Sequence, residues 1–275
     1  MSCYKYWGKI KDISNRLSAL GDCNIYESLV MDKLNIEDII DILDEVEIIT
    51  HDETIDFNSA KHILDDERMN EALKLIRNFY IYVGARLERD NAFKILESEN
   101  PKETLNSFHF YERYIGLINN ESKLTKFNED KTLVFVGSGP LPITLLMFNE
   151  VFGCKCIGIE INEEVANLSK KVLKRLDLDN DIKIIVGDET AIADLEYDIL
   201  MIAAFAEPKD KVFSNVWKLV DEKTPIIYRT YTGMKSILYS PVKDEDLEGF
   251  KKEVMILPTG TTNNTSVLIS KINKT

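Results

Sequence analysis

Two glycines and a carboxylate, placed at the ends of successive apolar runs, are the residues whose types and spacing point most directly to chemistry. Gly137 and Gly139 follow the run 133–136, and Glu160 ends the next run. Because glycine has no Cβ atom, a turn built on it reaches positive φ and approaches a ligand closely. A carboxylate after the second strand can accept hydrogen bonds from both hydroxyls of a ribose. The pattern therefore predicts an adenosine-binding α/β unit.

The turn departs from the dinucleotide-binding pattern GxGxxG. The third glycine of that pattern would stand where this chain has Pro142, and Pro140 precedes it. Proline stiffens the start of the following helix and removes amide donors that could hold a pyrophosphate. We therefore expect a nucleoside without phosphates, S-adenosylmethionine, rather than NAD.

Two later apolar runs agree with that ligand. The run 182–186 is followed by Asp188, which could accept a hydrogen bond from the adenine amino group. The run 197–204 ends in small residues, Ala203 and Ala204, which would leave room for a ligand over the carboxyl edge of the sheet. Glycine turns after strands are common, so the GxG pattern alone does not identify a function.

The charge of the chain bears on its partners. The 275 residues include 34 Lys and Arg against 47 Asp and Glu, a formal net charge of −13. Nucleic acids and anionic membranes need a basic footprint, so neither is an expected partner. Acidity that serves only solubility explains the charge equally well. The expected partners are small-molecule substrates, and the oligomeric state is open.

Localisation and metal binding can also be judged from the sequence. The chain has no uninterrupted apolar segment of the roughly 18 residues that a membrane span needs, and no apolar signal-peptide region, which predicts a cytoplasmic protein. Cys3, Cys23, Cys154 and Cys156 have neither disulfide nor zinc spacing, and no HExxH motif is present. We therefore predict no protein-bound metal.

A polar segment without apolar periodicity, 119–131, predicts a boundary in the chain. Helical spacing dominates before it, and short apolar runs alternate with helical stretches after it. We predict an α/β protein with a helical N-terminal domain, residues 1–128. A Rossmann-like, doubly wound sheet of the class I S-adenosylmethionine-dependent methyltransferase type would follow in residues 129–275.

The helical domain carries a candidate base. Asn35 is expected to cap one helix, and Asn58 or Ser59 a longer one that reaches Glu97. Four apolar residues of the longer helix fall on one stripe: Ala72, Ile76, Phe79 and Val83. Ile81, Gly84 and Glu88 fall roughly opposite that stripe. This helix should be buried on both sides, with Gly84 opening space beside Glu88. From periodicity alone, Glu88 is more often a solvent-exposed residue of the helix than a catalytic one.

Several separated motifs carry a more specific signal. They are FVGSGPLP at 135–142, the Ala203-Ala204 strand end, YRT at 228–230, GMKSILY at 233–239 and TNNTSV at 262–267. Together they resemble the nicotianamine synthase family, specifically its archaeal branch, along nearly the whole chain. The resemblance implies an aminocarboxypropyl transferase. Such an enzyme turns the amino-acid arm of S-adenosylmethionine, not its methyl group, toward the nucleophile and releases methylthioadenosine.

The resemblance also implies a catalytic pair. In the family a glutamate of the helical domain and a following tyrosine act at the acceptor amine, and they match Glu88 and Tyr114. An amine is mostly protonated at neutral pH, so attack needs a base within hydrogen-bond reach. Glu88 would accept the amine proton, and Tyr114 would orient or relay it.

The remaining site residues are expected to bind substrates. The cofactor contacts implied are Gly137, Ser138, Gly139, Leu141, Glu160, Asp188 and Ala204. Arg229, with Tyr231 beside it, is a candidate clamp for a substrate carboxylate, because guanidinium pairs carboxylates bidentately. A purely structural salt bridge is the alternative for Arg229.

The acceptor expected from the archaeal resemblance is glutamate and its extended intermediates. The plant enzymes join three aminocarboxypropyl units, and bacterial relatives load histidine once. The product would be a nicotianamine-like chelator, so the metal would belong to the product and not to the protein. A small-molecule N-methyltransferase and a non-catalytic S-adenosylmethionine-binding protein remain as alternatives.

Overall fold

The computed structural model describes residues 2–20, 35–52 and 54–272. The helices are α1 (Ser2–Leu20), α2 (Ile36–Thr50), α3 (Phe57–Leu64), α4 (Asn70–Glu97), α5 (Pro101–Asn106), α6 (Tyr111–Glu121), α7 (Ile143–Phe152), α8 (Glu163–Arg175) and α9 (Lys209–Leu219). The strands are β1 (Thr132–Val136), β2 (Lys155–Glu160), β3 (Ile182–Val186), β4 (Ile199–Ile202), β5 (Ile226–Thr230), β6 (Phe250–Ile256) and β7 (Thr265–Lys271).

These strands form one mixed sheet in the order β3-β2-β1-β4-β5-β7-β6. The first five run parallel, while β7 pairs antiparallel with both β5 and β6. The strand order reverses at β1, whose two neighbours are β2 and β4, so a crevice opens at the carboxyl ends of these strands. The predicted Rossmann-like sheet of the class I S-adenosylmethionine-dependent methyltransferase type is confirmed.

Burial explains which strands the sequence can reveal. All four residues of β4 and all five of β5 are buried, as expected for strands covered on both faces. By contrast, β6 is an edge strand whose middle residues, 251–255, are all exposed. Its polar sequence has no clear apolar alternation, so this strand escapes prediction.

The chain divides into two compact units, and α4 contributes to both. One unit comprises Met1–Arg86 and Tyr231–Pro241, and the other comprises Leu87–Thr230 and Val242–Thr275. In the first unit, the predicted apolar stripe of α4 is buried at Ala72, Ile76, Phe79 and Val83. Arg77 on the same helix donates to the carbonyl oxygen of Ser236, at 2.8 Å from Nη2. The division into domains 1–128 and 129–275 stays a prediction.

Capping decides where the helices of the first unit begin. Asn35 caps α2 as predicted, since its side chain accepts a hydrogen bond from the Glu37 amide. The prediction of one long helix starting at Asn58 or Ser59 is wrong. Asp56 caps α3, and Asp66 accepts from the Arg68 amide at 2.9 Å. The short aspartate side chain competes for backbone amides there and interrupts the helix before α4.

The second stripe of α4 is only partly as expected. Ile81, Gly84 and Glu88 are half-buried rather than buried. A Cβ atom added at Gly84 would meet no atom of the described residues within 4 Å, so there is open space beside this glycine.

Membrane spans and metal-ligand clusters are both absent from the described ranges. No helix there has the length together with the apolar character that a membrane crossing requires. Nor do the side chains described in residues 5–20, 35–52 and 54–272 include a group of three or more His, Cys, Asp or Glu able to hold a metal ion. Cys154 and Cys156 are buried free thiols. Cys23 and the side chain of Cys3 lie outside the part described.

Substitution of Asp56 by alanine should lower the unfolding midpoint by a few degrees, because the Ser59 amide, 2.7 Å from Oδ1, loses its cap. The matched control is Asn58→Ala, which removes an exposed side chain two residues further along and should leave the midpoint unchanged. Thermal unfolding followed by circular dichroism measures both. Equal effects of the two substitutions would contradict the assignment of the cap.

Candidate active site

The glycine turn follows β1 at the switch point of the sheet. Gly137 and Gly139 have φ values of 86° and 71°, in the left-handed region that favours glycine. The amides of Gly137 and Ser138 both donate to the carbonyl oxygen of Ile159 on β2, at 2.8 and 3.2 Å. The turn is therefore tied to the end of the neighbouring strand.

The acid at the end of β2 is oriented by two backbone amides. One oxygen of Glu160, Oε2, accepts from the Gly139 amide at 3.0 Å, and the other accepts from the Asn162 amide at 3.0 Å. A carboxylate has about four acceptor positions, so these bonds leave capacity for further donors. The arrangement fits hydroxyl donors such as those of a ribose.

Glu88 lies on the other side of the same turn. Its Oε1 atom accepts a hydrogen bond from the Tyr114 hydroxyl at 3.1 Å. A Cβ atom built on Gly139 would stand 2.8 Å from Glu88 Oε2. Glycine at this position is thus required both by its positive φ and by the close approach of the carboxylate. The helical element α4 and the sheet meet here within one compact unit.

The environment of Glu88 makes its carboxyl group a weak acid. Burial raises the pKa of Glu88 to about 8, and the negative charge of Glu160 acts in the same direction. The hydrogen bond from Tyr114 and the positive charge of Arg229 act in the opposite direction. A general base works best when its pKa lies near the working pH, so Glu88 is suited to exchange a proton with an amine.

Arg229 is engaged by an acid that the sequence analysis does not single out. Its Nε and Nη2 atoms donate to the two carboxylate oxygens of Glu121 at 2.7 and 2.9 Å, and Nη1 donates to Thr144 Oγ1 at 2.9 Å. Arg229 is 5% exposed and Glu121 is fully buried. This is the structural salt bridge considered as the alternative for Arg229. The substrate-binding role stays a prediction.

The side chain of Ser138, in the glycine turn, packs against Gly158 on β2. A Cβ atom at Gly158 would stand 2.7 Å from Ser138 Cβ and 2.8 Å from its Oγ, and 2.7 Å from Ile184 Cδ1. The buried Ser138 hydroxyl has no hydrogen-bond partner among the described residues. Because Gly158 has no side chain, it leaves the space that the Ser138 side chain occupies. Sequence spacing does not reveal this role.

The other predicted contacts are spread along the carboxyl edge or lie elsewhere. Asp188 follows β3, where its Oδ1 accepts from the Thr190 amide at 3.0 Å, and bonds to Thr190 hold its pKa below the usual range. Leu141 and Ala204 are buried. Tyr231 belongs to the first unit, where its ring contacts Tyr80 and Tyr239.

Sequence reasoning misses several residues around this edge. Ile161, 71% exposed, follows β2, and the half-exposed Phe205 follows β4, so apolar surface borders the switch point. Lys209 is buried at the start of α9 and donates to the carbonyl oxygens of Ala204 and Ala206 at 2.5 and 2.7 Å. An isolated lysine in sequence is typical of a solvated surface, so only its burial reveals that it holds the loop after β4.

A glycine turn at the switch point, an oriented acid after β2 and a shielded carboxyl group beside the turn define a class of protein. These features are typical of a group-transfer enzyme that uses an adenosine-containing donor. The class is defined by the contacts of Gly139 with both Glu88 and Glu160.

Comparisons with known proteins identify the family. The family described as "Nicotianamine synthase protein" matches residues 5–275. The structure of MtNAS in complex with MTA and tNA is 48% identical, with a TM-score of 0.93, and 99% of this chain covers 100% of that chain. A glutamate-to-glutamine mutant of MtNAS in complex with S-adenosylmethionine is 47% identical, with a TM-score of 0.91 over the same shares.

A relative from a plant is more distant. Nicotianamine synthase of Solanum lycopersicum is 28% identical over 226 residues, which are 76% of this chain and 71% of that protein. This chain belongs to the nicotianamine synthase family and is an S-adenosylmethionine-dependent aminocarboxypropyl transferase. The family expected from the separated motifs is thereby confirmed.

Replacing Gly158 by alanine should weaken the binding of S-adenosylmethionine about tenfold or more, because the new methyl group would displace the Ser138 turn from β2. Isothermal titration calorimetry measures the dissociation constant. Gly8→Ala is the matched control, since its added methyl group meets no described atom within 4 Å and should change nothing. Unaltered binding by the Gly158 variant would show that Gly158 does not support the turn.

Proposed function

We propose that this enzyme transfers 3-amino-3-carboxypropyl groups from S-adenosylmethionine to the α-amine of glutamate and then to the extended intermediates. The products are methylthioadenosine and a nicotianamine-like chelator. A chelator rich in amines and carboxylates binds transition metals, so the metal is bound by the product. The glutamate acceptor is inferred from the archaeal resemblance.

The observation that carries this proposal is the hydrogen bond from the Tyr114 hydroxyl to Glu88 Oε1 beside Gly139. The carboxyl group of Glu88, whose pKa is raised, thus lies against the turn that is expected to hold the nucleoside and amino-acid parts of the donor. A methyl transferase would need its acceptor at the methyl group, whereas a base here serves a nucleophile that meets the longer arm.

The transfer step needs one base and one leaving group. The ionised Glu88 removes a proton from the α-ammonium group of the acceptor. The freed amine attacks the carbon of the propyl arm that is bonded to sulfur, forming a C–N bond as the C–S bond breaks. The electron pair of that bond stays on sulfur, which leaves as neutral methylthioadenosine. Tyr114 holds Glu88 in the orientation required, which contributes through positioning as well as proton transfer.

Donor binding is assigned to the switch-point edge. The proposed contacts are Gly137, Ser138, Gly139, Leu141, Glu160, Asp188 and Ala204. Glu160, fixed by the amides of Gly139 and Asn162, would accept from the ribose hydroxyls. Asp188 would accept from the adenine amino group. Arg229 and Tyr231 are proposed for the acceptor; a substrate carboxylate at Arg229 would have to share donors with Glu121 and Thr144.

The decisive experiment is mass spectrometry of the purified protein incubated with S-adenosylmethionine and glutamate. We expect methylthioadenosine and a series of products, each heavier by one aminocarboxypropyl unit. A parallel incubation with histidine in place of glutamate tests the acceptor. Adenosylhomocysteine in place of methylthioadenosine would make the chain an N-methyltransferase. Donor binding without any turnover would make it a binding protein.

Substitution of Glu88 by glutamine should lower the rate of methylthioadenosine release about 100-fold or more, because glutamine keeps the hydrogen bond from Tyr114 but cannot accept a proton. The dissociation constant of S-adenosylmethionine should be unchanged by calorimetry. Tyr114→Phe serves as the comparison and should retain more activity, since it leaves the base in place. Full turnover by the Glu88 variant would remove Glu88 from the mechanism.

The Glu88→Gln variant should be more stable to unfolding than the parent protein at alkaline pH. The pKa of Glu88 is about 8 in the folded protein against an ordinary value of 4.5, so the folded state keeps a proton that the unfolded chain loses. The free energy of unfolding of the parent protein therefore falls as the pH rises from about 4.5 to about 8. A glutamine at this position does not ionise, so the variant avoids this loss. We expect the melting temperature of Glu88→Gln to exceed that of the parent by about 2 °C or more at pH 9.

At pH 5 the two melting temperatures should be nearly equal, because the folded parent protein is then protonated at Glu88. Differential scanning calorimetry at both pH values measures the difference. A constant offset between the two proteins across this range would contradict the raised pKa of Glu88.

A further inference from the structure

The buried ion pair between Glu121 and Arg229 takes no part in the proton removal or the bond exchange described above. Removing two charges from water is unfavourable, and replacing such a pair by apolar residues is often neutral or stabilising. This pair is nevertheless fully bonded. Both Glu121 oxygens accept from Arg229, and Ser266 on β7 also donates to Glu121 Oε1, at 3.2 Å. Its place beside the site suggests a role other than stability.

The geometry of α6 links this pair to the catalytic tyrosine. Tyr114 and Glu121 are seven residues apart, so at 100° per residue they fall within about 20° of each other on one face of the helix. The guanidinium carbon of Arg229 lies 5.9 Å from the centre of the Tyr114 ring and 5.1 Å from that of Phe135 on β1. The guanidinium group of Arg229 thus forms hydrogen bonds with Glu121 at one end of this helical face and lies over the Tyr114 ring at the other end.

The same helix is held at two further points on the β6–β7 side. Asn120 Nδ2 donates to Thr259 Oγ1 at 3.0 Å. A Cβ atom at Gly116 would stand 2.8 Å from Thr262 Cγ2, so α6 lies directly against the loop before β7. Arg229 is held at its other end by Thr144 on α7. Contacts with residues of β5, β7 and α7 therefore fix the position of α6, and with it the position of Tyr114.

We propose that Glu121 is a positioning residue of this enzyme: by locking Arg229 bidentately it fixes the guanidinium beside the Tyr114 ring, so that the Tyr114 hydroxyl meets Glu88. The inference rests on the proposed function, in which Glu88 is the base. It assigns Arg229 to the orientation of Tyr114 and adds Glu121, on a different helix from the base, to the residues on which the transfer step depends.

The positive charge of Arg229 has a second consequence that agrees with this role. The groups that act on Glu88 are the Tyr114 hydroxyl from α6, the Glu160 carboxylate from β2 and the Arg229 guanidinium from β5, and the arginine favours the ionised base. A guanidinium that rotated away from this place would withdraw both the ring contact and that charge. Glu121 prevents the rotation by occupying two of its three nitrogens.

The test is a double-mutant cycle on methylthioadenosine release. In the otherwise unchanged enzyme, Glu121→Gln should lower kcat about tenfold, with the KM for S-adenosylmethionine within about twofold. In the Tyr114→Phe background the hydroxyl is absent and only the charge of Arg229 beside Glu88 is altered, so the same substitution should lower kcat by about threefold or less. This dependence on Tyr114 is a readout that a merely structural ion pair would not produce.

A second variant keeps the test valid should Glu121→Gln fail to fold with an unpaired buried arginine. Glu121→Asp keeps the negative charge against Arg229, but its side chain is shorter by one methylene group and would draw the guanidinium away from the Tyr114 ring. It is compared in the parent enzyme and in the Tyr114→Phe background, and kcat should again fall more in the parent enzyme. Equal losses of kcat in the two backgrounds, or no loss in either, would overturn the inference. Absence of methylthioadenosine from the unmutated enzyme would instead overturn the proposed function.

Discussion

The contact between the Glu88 carboxyl group and the backbone of the glycine turn is the constraint that organises the site. Partial burial of the Glu88 carboxylate is costly, and it is tolerated because Tyr114 donates to it and because Gly139 offers no side chain to obstruct it. The opposite face of the same turn is fixed by Glu160. One residue without a Cβ atom therefore separates Glu160, the acid proposed to bind the nucleoside, from Glu88, the proposed proton acceptor.

This separation explains how a fold associated with methyl transfer can support a different reaction. The proposed function has the donor bind at the carboxyl ends of β1, β2 and β4, but every carbon bonded to the sulfonium is activated there. The choice of carbon depends on where the nucleophile is deprotonated. Glu88, the proposed base, is on a helix that precedes the sheet in the chain and is not part of the sheet itself.

Strands with continuous apolar sequence can be predicted because strands buried on both faces leave little choice of residue, as in β4 and β5. The sequence does not show in the same way which of several neighbouring polar residues caps a helix. Asp56, Asn58 and Ser59 are all acceptable caps by residue type, and only the backbone conformation selects Asp56. The edge strand β6 escapes prediction because its exposed residues carry no apolar pattern.

The amino-acid order is enough to establish the α/β class, the glycine turn with Glu160, and, through separated motifs, the family and the candidate pair Glu88 and Tyr114. These features depend on residues close together in the chain or on motifs that keep their order. Folding in three dimensions is needed to bring Glu88 against Gly139, Glu121 onto Arg229, and Ser138 into the space that Gly158 leaves. Burial and pairing arise between segments far apart in sequence, and the energies of buried charges depend on that packing.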